Sequence, residues 1–188
     1  MELSKPILCI SYTEEKKLES FLSSLNVEHI TEPFFFPHIQ KYYSKEMGEN
    51  IFKVYASLRG LINGKNLVDF KLWAINQEAI FSQDRKRRLN IDPGYVDESH
   101  LVLTSSKKRG GRLYLGRGVY AEMEYLFVHG GFRALYWTYA DYRDRKVKGF
   151  FEMVRRGFLD ELKAAKCGDK LWLVSFSEHE FYETLQAW

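Results

Sequence analysis

The sequence has few residues that could cross-link a fold or bind a metal. Its 188 residues include only two cysteines, Cys9 and Cys167, which lie far apart and have no histidine close by in sequence. This usage excludes a disulfide-rich secreted scaffold and gives no zinc-ligand spacing. The five histidines are scattered in the same way. We therefore predict no metal centre, and a reducing, cytoplasmic environment.

Long apolar runs are also absent. No stretch approaches the roughly 18 residues that a membrane span requires, and the first residues lack the charged start and apolar centre of a signal peptide. These features predict a soluble protein with no membrane partner. The formal net charge is only +3, too low for the strong overall field of a general nucleic-acid binder. Positive charge is concentrated instead at Arg85 to Arg88 and at Lys107 to Arg112.

Aromatic residues are abundant, at 16%, and most recur in strand-like runs. Ile7 to Tyr12 is nearly continuously apolar, which is typical of a buried strand. The apolar residues between Leu18 and Leu25 have helical spacing, and glycines divide Leu101 to Trp137 into a meander of three or four strands. The order of elements predicts an α+β fold with a largely antiparallel, or mixed, sheet and helices packed on one face. Its first half fits a ferredoxin-like arrangement.

Two segments are predicted to be half exposed. Ile51 to Leu58 alternates apolar and polar residues, which places Lys53 on the solvent side of a strand. A helix from about Asn66 to Ser82 carries Lys71 and Glu78 on its polar face.

The length fits one α+β domain, which we assign to residues 1–168. Residues 169–188 form a C-terminal extension with five large aromatic side chains: Trp172, Phe176, Phe181, Tyr182 and Trp188. So much apolar surface predicts that the extension docks on the domain, or on a partner subunit to make a homodimer.

The stretch from Asp84 to Tyr142 holds the candidate catalytic groups. Within it, Asp92 to Tyr95 reads Asp-Pro-Gly-Tyr, which predicts a tight turn. Asp92, Glu122 and Asp141 each lie beside aromatic or basic residues, where a carboxylate serves as an acid or a base. The alternative is structural: Asp92 caps its turn and Asp141 pairs with a nearby arginine.

The same stretch holds the candidate ligand-binding residues: Arg87, Arg88, Asn90, Lys107, Arg112 and Tyr120. Arginine forks grip phosphate or carboxylate groups in a bidentate manner. A tyrosine stacks on a base or fills the core. A solvated basic surface is the competing interpretation of this cluster.

Three blocks of sequence resemble a known prokaryotic family. They are Arg87 to Tyr95, the run from Leu101 through Arg112–Leu115 to Glu122, and Trp137 to Arg143. Together they resemble the domain-of-unknown-function family four-four-one-six over about Pro6 to Leu162. The chain departs from the family pattern at His38 to Lys41, where aspartate is usual, and at Gly111, often histidine.

Members of this family are often given a GTP-binding label, which implies a phosphate-binding loop. Gly60 to Asn66 reads Gly-Leu-Ile-Asn-Gly-Lys-Asn, with too few residues between the glycines and no serine or threonine after the lysine. Gly116-Arg117-Gly118 lacks the third glycine of a dinucleotide fingerprint. No motif points to a particular cofactor.

The sequence therefore favours a protein that binds an anionic small ligand, phosphorylated or nucleotide-like, between basic residues and carboxylates. Catalysis at that site and binding without a reaction are both open. The first alternative is an RNA-associated module, because basic residues and tyrosines are interleaved from Arg109 to Tyr125. The second is a structural interaction protein without catalysis.

Overall fold

The computed structural model describes residues 2–177 and 179–187. Its α-helices are α1 (Glu15–Ser23), α2 (Pro37–Met47), α3 (Leu67–Ile80) and α4 (Arg145–Lys166). Its strands are β1 (Leu3–Tyr12), β2 (Val27–Ile30), β3 (Phe52–Leu58), β4 (Leu61–Asn63), β5 (Leu89–Val96), β6 (His100–Ser105), β7 (Leu113–Gly116), β8 (Val119–Val128), β9 (Gly131–Ala134), β10 (Lys170–Phe176) and β11 (Phe181–Ala187). Short 3-10 turns occur at Gly64–Asn66 and Ala140–Arg143.

All of these strands belong to one sheet with β1 near its centre. β1 pairs with β5 on one side, and with β3 and then β4 on the other. Among the described strands, every pairing is antiparallel except that of β4 with β10. The predicted α+β class with a largely antiparallel, mixed sheet is therefore confirmed.

The first half has the ferredoxin-like topology. β3 lies between β1 and β2, and β5 flanks β1 on the other side, so the spatial order is β2-β3-β1-β5. Helix α1 follows β1 and helix α3 precedes β5. This is the split βαβ arrangement that the sequence indicated, with α2 and β4 as insertions.

The sheet is covered on both faces, because side chains alternate along a strand. Leu8 and Ile10 of β1 pack in one cluster with residues of α1 and α3. Ile7 and Cys9 pack in a second cluster with residues of α4, such as Phe151. The prediction of helices on one face holds for α1 and α3 and is wrong for α4. The amphipathic α4 has an apolar stripe that needs its own covering surface.

The predicted meander is rearranged around β8. This long strand pairs with β6 on one side. On the other side it pairs with β7 near its beginning and with β9 near its end. The chain therefore crosses from β6 to the far side of β8 before it makes the β7–β8 hairpin.

The predicted Asp-Pro-Gly-Tyr turn is wrong, because this sequence lies within strand β5. β5 pairs with β6 only from Gly94 onward, so Pro93 stands beside an open edge where a missing N–H costs no hydrogen bond. Gly94 is needed for close packing, since a Cβ there would lie 2.1 Å from the carbonyl oxygen of Val102. The glycine permits strand contact here instead of chain reversal.

The C-terminal extension forms the hairpin β10–β11, which joins the sheet through β4 of the same chain. The ring of Phe176 is buried and stacks on Phe70 of α3, with centroids 3.9 Å apart. Trp172 stays 45% exposed, and Trp188 lies outside the described residues. Docking on a partner subunit stays a prediction.

None of the helices in the described part of the chain combines the length and apolar character that a bilayer crossing requires.

Candidate functional site

A cleft of about 490 Å³ opens where β5 and β6 separate. The two strands are paired between Gly94 and Val96 and then diverge, because β6 continues along β8 as far as Ser105. Residues of α2, of α3 and of the turn at Ala140–Arg143 enclose the gap. The sheet itself therefore supplies the floor of the cleft.

Two charged side chains of α3 occupy the place of a neighbouring strand along the open part of β5. Lys71 Nζ donates to the carbonyl of Ile91 at 3.0 Å, and Glu78 accepts from the N–H of Ile91 at 2.6 Å. Burial raises the pKa of Glu78, against the opposing effect of Lys71. The prediction that Lys71 and Glu78 lie on a solvated helix face is wrong, because the main chain of β5 needs these partners.

Lys53 and Asp141 form a buried ion pair on the floor. Their atoms Nζ and Oδ2 are 2.6 Å apart, and the hydroxyl of Tyr55 donates to the same oxygen at 2.7 Å. Burial, the largest single cause, would lower the pKa of Lys53, but the Asp141 carboxylate and its hydrogen bond lead the opposing causes and the pKa is raised. Burial alone would raise the pKa of Asp141, but Lys53 holds it below its usual value. Both groups are charged, and the prediction that Lys53 faces solvent is wrong.

Asp92 is held in a second network beside that pair. Its two carboxylate oxygens accept from Lys71 Nζ at 3.1 Å and from Asn90 Nδ2 at 2.9 Å. The Asn90 side-chain oxygen in turn accepts from Arg87 at 2.8 Å, and Arg87 also bonds Glu46 of α2. Burial would raise the pKa of Asp92, but Lys71 and then Lys53 lower it below the usual range. Asp92 is therefore ionised.

Arg112 organises the wall opposite α3. Its Nε donates to Glu122 at 2.8 Å, and both side chains are almost completely buried. Its other donors reach the Ser105 hydroxyl at 2.7 Å, the Lys107 carbonyl at 2.6 Å and the hydroxyl of Tyr139. With these partners, the guanidinium shapes the loop between β6 and β7.

That loop carries Lys107, Lys108 and Arg109 to the mouth of the cleft, where all three are exposed. Lys107 lies 3.9 Å from Glu46, and Arg109 lies over the ring of Tyr139 at 5.7 Å. Among the described residues, neither Lys108 nor Arg109 has an ion-pair partner. The mouth is therefore the least neutralised part of the cleft.

The structure brings most of the predicted site residues together. Those that line the cleft are Arg87, Asn90, Asp92, Lys107, Arg112, Glu122 and Asp141. Arg88 lies elsewhere and pairs with Glu14 at 3.1 Å. Tyr120 also lies outside the cleft, and its ring packs against Tyr114.

Sequence reasoning missed several lining residues, including Lys53, Lys71 and Tyr42. The signal for Lys71 and Glu78 was their spacing of seven residues, which puts both on one face of α3. Within 2–177 and 179–187, no group of three or more histidine, cysteine, aspartate or glutamate side chains is placed to hold a metal ion.

Comparison with known proteins identifies the family. No curated protein matches the chain, and no solved structure matches it. The sequence profile of one family, described as Domain of unknown function (DUF4416), matches residues 9–158. That region includes α1 to α3, the cleft and most of α4. The match covers most of the 188 residues, so the chain belongs to the DUF4416 family.

Proposed function

We propose that this chain is a cytoplasmic protein that binds a phosphorylated or nucleotide-like anion in the cleft between β5 and β6. The observation that carries the proposal is the basic loop at the mouth, where Lys108 and Arg109 have no carboxylate partner within the part of the chain that the structure describes. A phosphate group would provide the negative charge that these side chains lack.

The charge of the whole lining supports the same proposal. Seven lysine and arginine side chains and four carboxylates line the cleft. This formal excess of three positive charges equals the net charge of the entire chain. Low-dielectric walls concentrate such a field and attract anions into the cleft.

The size and walls of the cleft suit a nucleotide or a sugar phosphate. Its 490 Å³ lies within the range of about 300–1,000 Å³ that small-molecule sites occupy. The rings of Tyr42 and Tyr139 stand beside the basic loop, where they could stack on a base or a sugar face. Phosphate recognition would come from side chains, since the chain has no P-loop.

If the bound ligand reacts, Asp92 and Asp141 would take part as ionised carboxylates that are weak bases. Their lowered pKa values keep both carboxylates ionised near neutral pH, so neither is a ready proton donor.

Isothermal titration calorimetry with pyrophosphate, ATP and GTP at low salt tests the proposal. The double variant Lys108→Ala/Arg109→Ala should weaken binding at least about tenfold, the scale of one lost charge-assisted contact. The matched control Lys16→Ala/Lys163→Ala removes two charges from α1 and α4, outside the cleft. Absence of binding by all three anions, or equal effects of the two double variants, contradicts the proposal.

Exposed aromatic residues near the basic loop favour RNA as a second candidate ligand. Tyr114 is 63% exposed and Tyr136 is 98% exposed, and exposed rings are stacking platforms for unpaired bases. Fluorescence anisotropy with short mixed-sequence RNA would then detect binding that weakens steeply with salt. No binding at low salt ends this alternative.

A further inference from the structure

The cleft has two chemically different ends. At the mouth, Lys108 and Arg109 carry charge without a counter-ion among the described residues. On the floor, each lysine already has a carboxylate: Lys53 pairs with Asp141 and Lys71 with Asp92. An anion placed on the floor would displace a buried ion pair and face two carboxylates, at a large desolvation cost. Negative charge therefore belongs at the mouth.

The floor still has hydrogen-bonding capacity for a neutral group. Ser11, Lys53 and Asn90 lie side by side on β1, β3 and β5, because Ser11 is the cross-strand partner of both other residues. The Ser11 side chain lines the cleft. The Asp92 side chain stays partly exposed, and each of its oxygens has one protein donor. An ionised carboxylate oxygen accepts about two hydrogen bonds, so Asp92 has room for further donors.

Asp141 presents a similar acceptor across the floor. Its Oδ2 is bonded by Lys53 and Tyr55, whereas its Oδ1 faces His38 Nε2 at 3.8 Å, which is beyond hydrogen-bond distance. The oxygens of Asp92 and Asp141 can accept further hydrogen bonds, and the lysines beside them are already neutralised. Such a surface suits uncharged O–H donors better than another ammonium group, or than a phosphate in addition to the one at the mouth.

We infer that the ligand is a phosphorylated sugar, bound with its phosphate at the basic loop and its sugar hydroxyls donating to Asp92 and Asp141 beside Ser11. This inference rests on the proposed function and adds the class of ligand and its orientation. The apolar walls formed by Ile39 and Ile75 would contact the C–H face of the sugar ring.

Calorimetry with ribose 5-phosphate and with inorganic phosphate separates this inference from the proposed function. Ribose 5-phosphate should bind at least about tenfold more tightly than phosphate, because its sugar would add one or two hydrogen bonds. Asp92→Asn should remove most of this advantage, because the amide replaces one acceptor by a donor and loses the charge. It should leave phosphate affinity unchanged or slightly increased.

Ser11→Ala is the second variant, since Asp92→Asn risks disturbing its network with Lys71. It should weaken ribose 5-phosphate several-fold and leave phosphate unaffected. Ser57→Ala is the matched control, because Ser57 is a buried serine of β3 that does not line the cleft. Equal affinities for the two probes, or equal effects of the two serine variants, would overturn the inference while phosphate binding still supported the proposed function. Failure of both probes to bind would overturn the inference, and only if pyrophosphate, ATP and GTP also fail to bind is the proposed function overturned with it.

Discussion

Glu124 should make the stability of this protein decrease as the pH rises through neutrality. Its side chain on β8 is 0% exposed. One carboxylate oxygen accepts from the N–H of Tyr139 at 3.2 Å, and the other has no hydrogen-bond partner among residues 2–177 and 179–187. Burial is the main cause that raises its pKa from 4.5 to about 8. The nearby carboxylates of Glu122 and Asp141 act in the same direction, and Lys53 opposes them.

The direction of this pH dependence follows from proton binding to Glu124. Between pH 4.5 and about 8, the folded Glu124 keeps a proton that the unfolded carboxyl has lost, so the free energy of unfolding falls as the pH rises. The slope is about 1.4 kcal/mol per pH unit. From about pH 5.5 to about pH 8 this amounts to roughly 3 kcal/mol. Below the unfolded value and above the folded value, the contribution is constant.

Glu124→Gln keeps the shape of the side chain and removes its titration. Urea unfolding of both proteins from about pH 5.5 to about pH 9 should give similar stabilities at the acidic end. The variant should be more stable by roughly 3 kcal/mol at the alkaline end. The exposed Glu19→Gln is the matched control, because it removes the same charge from solvent. A difference between Glu124→Gln and the parent protein that stays constant across this pH range would refute the reasoning.

Three further changes test the packing. Gly94→Ala should lower the melting temperature sharply, because the added Cβ would collide with a backbone carbonyl of β6. Gly157→Ala on α4 is the control, because a Cβ there meets open space, and it should raise the free energy of unfolding by about 0.5–1 kcal/mol. Equal melting temperatures of the two variants would contradict this reasoning. Asp141→Asn should lower the free energy of unfolding, measured in urea, by about 3 kcal/mol, and adding Lys53→Met should recover part of this loss. If the effects of the two substitutions simply add, the two side chains are not energetically coupled. Phe176→Ala should lower the free energy of unfolding by about 3 kcal/mol. An unchanged denaturation midpoint would show that packing of the C-terminal hairpin contributes no stability.

Local periodicity explains why the broad fold could be predicted. The apolar run at Ile7 to Tyr12 and the helical spacing between Leu18 and Leu25 are properties of neighbouring residues, and the structure has β1 and α1 at these places. The ferredoxin-like order followed from the succession of such elements along the chain. The opposite placement of α4 did not follow, because it depends on which face of the sheet remains free after α1 and α3 have packed.

The site was harder to predict because its charges are neutralised over long sequence distances. Lys53 pairs with Asp141, 88 residues away, and Lys71 pairs with Asp92, 21 residues away. Without those partners each lysine has the pattern of a solvated residue. Conversely, Asp92 and Asp141 could be selected because aromatic and basic residues surround them in the sequence itself.

The Asp-Pro-Gly-Tyr segment failed as a turn for a different reason. Proline restricts the backbone dihedral angles and glycine widens their range, but neither residue by itself specifies a turn. Here Pro93 needs an edge without a partner strand and Gly94 needs space beside a neighbouring carbonyl. Both needs are properties of the tertiary structure.

Lys71 and Glu78 of α3 occupy the place of a partner strand along part of β5. These two side chains therefore help to keep the gap between β5 and β6 open. β5 and β6 are paired at one end. The pairing stops at Pro93, which has no N–H to donate, and beyond it the main-chain groups of Ile91 are bonded to α3. Apolar residues at these two helix positions would leave the buried N–H and carbonyl of Ile91 without their hydrogen-bond partners. Closing the gap into a continuous sheet would therefore require replacement of Pro93 as well as of these two α3 residues. A family member without this lysine–glutamate pair would need other partners for the main chain of this strand.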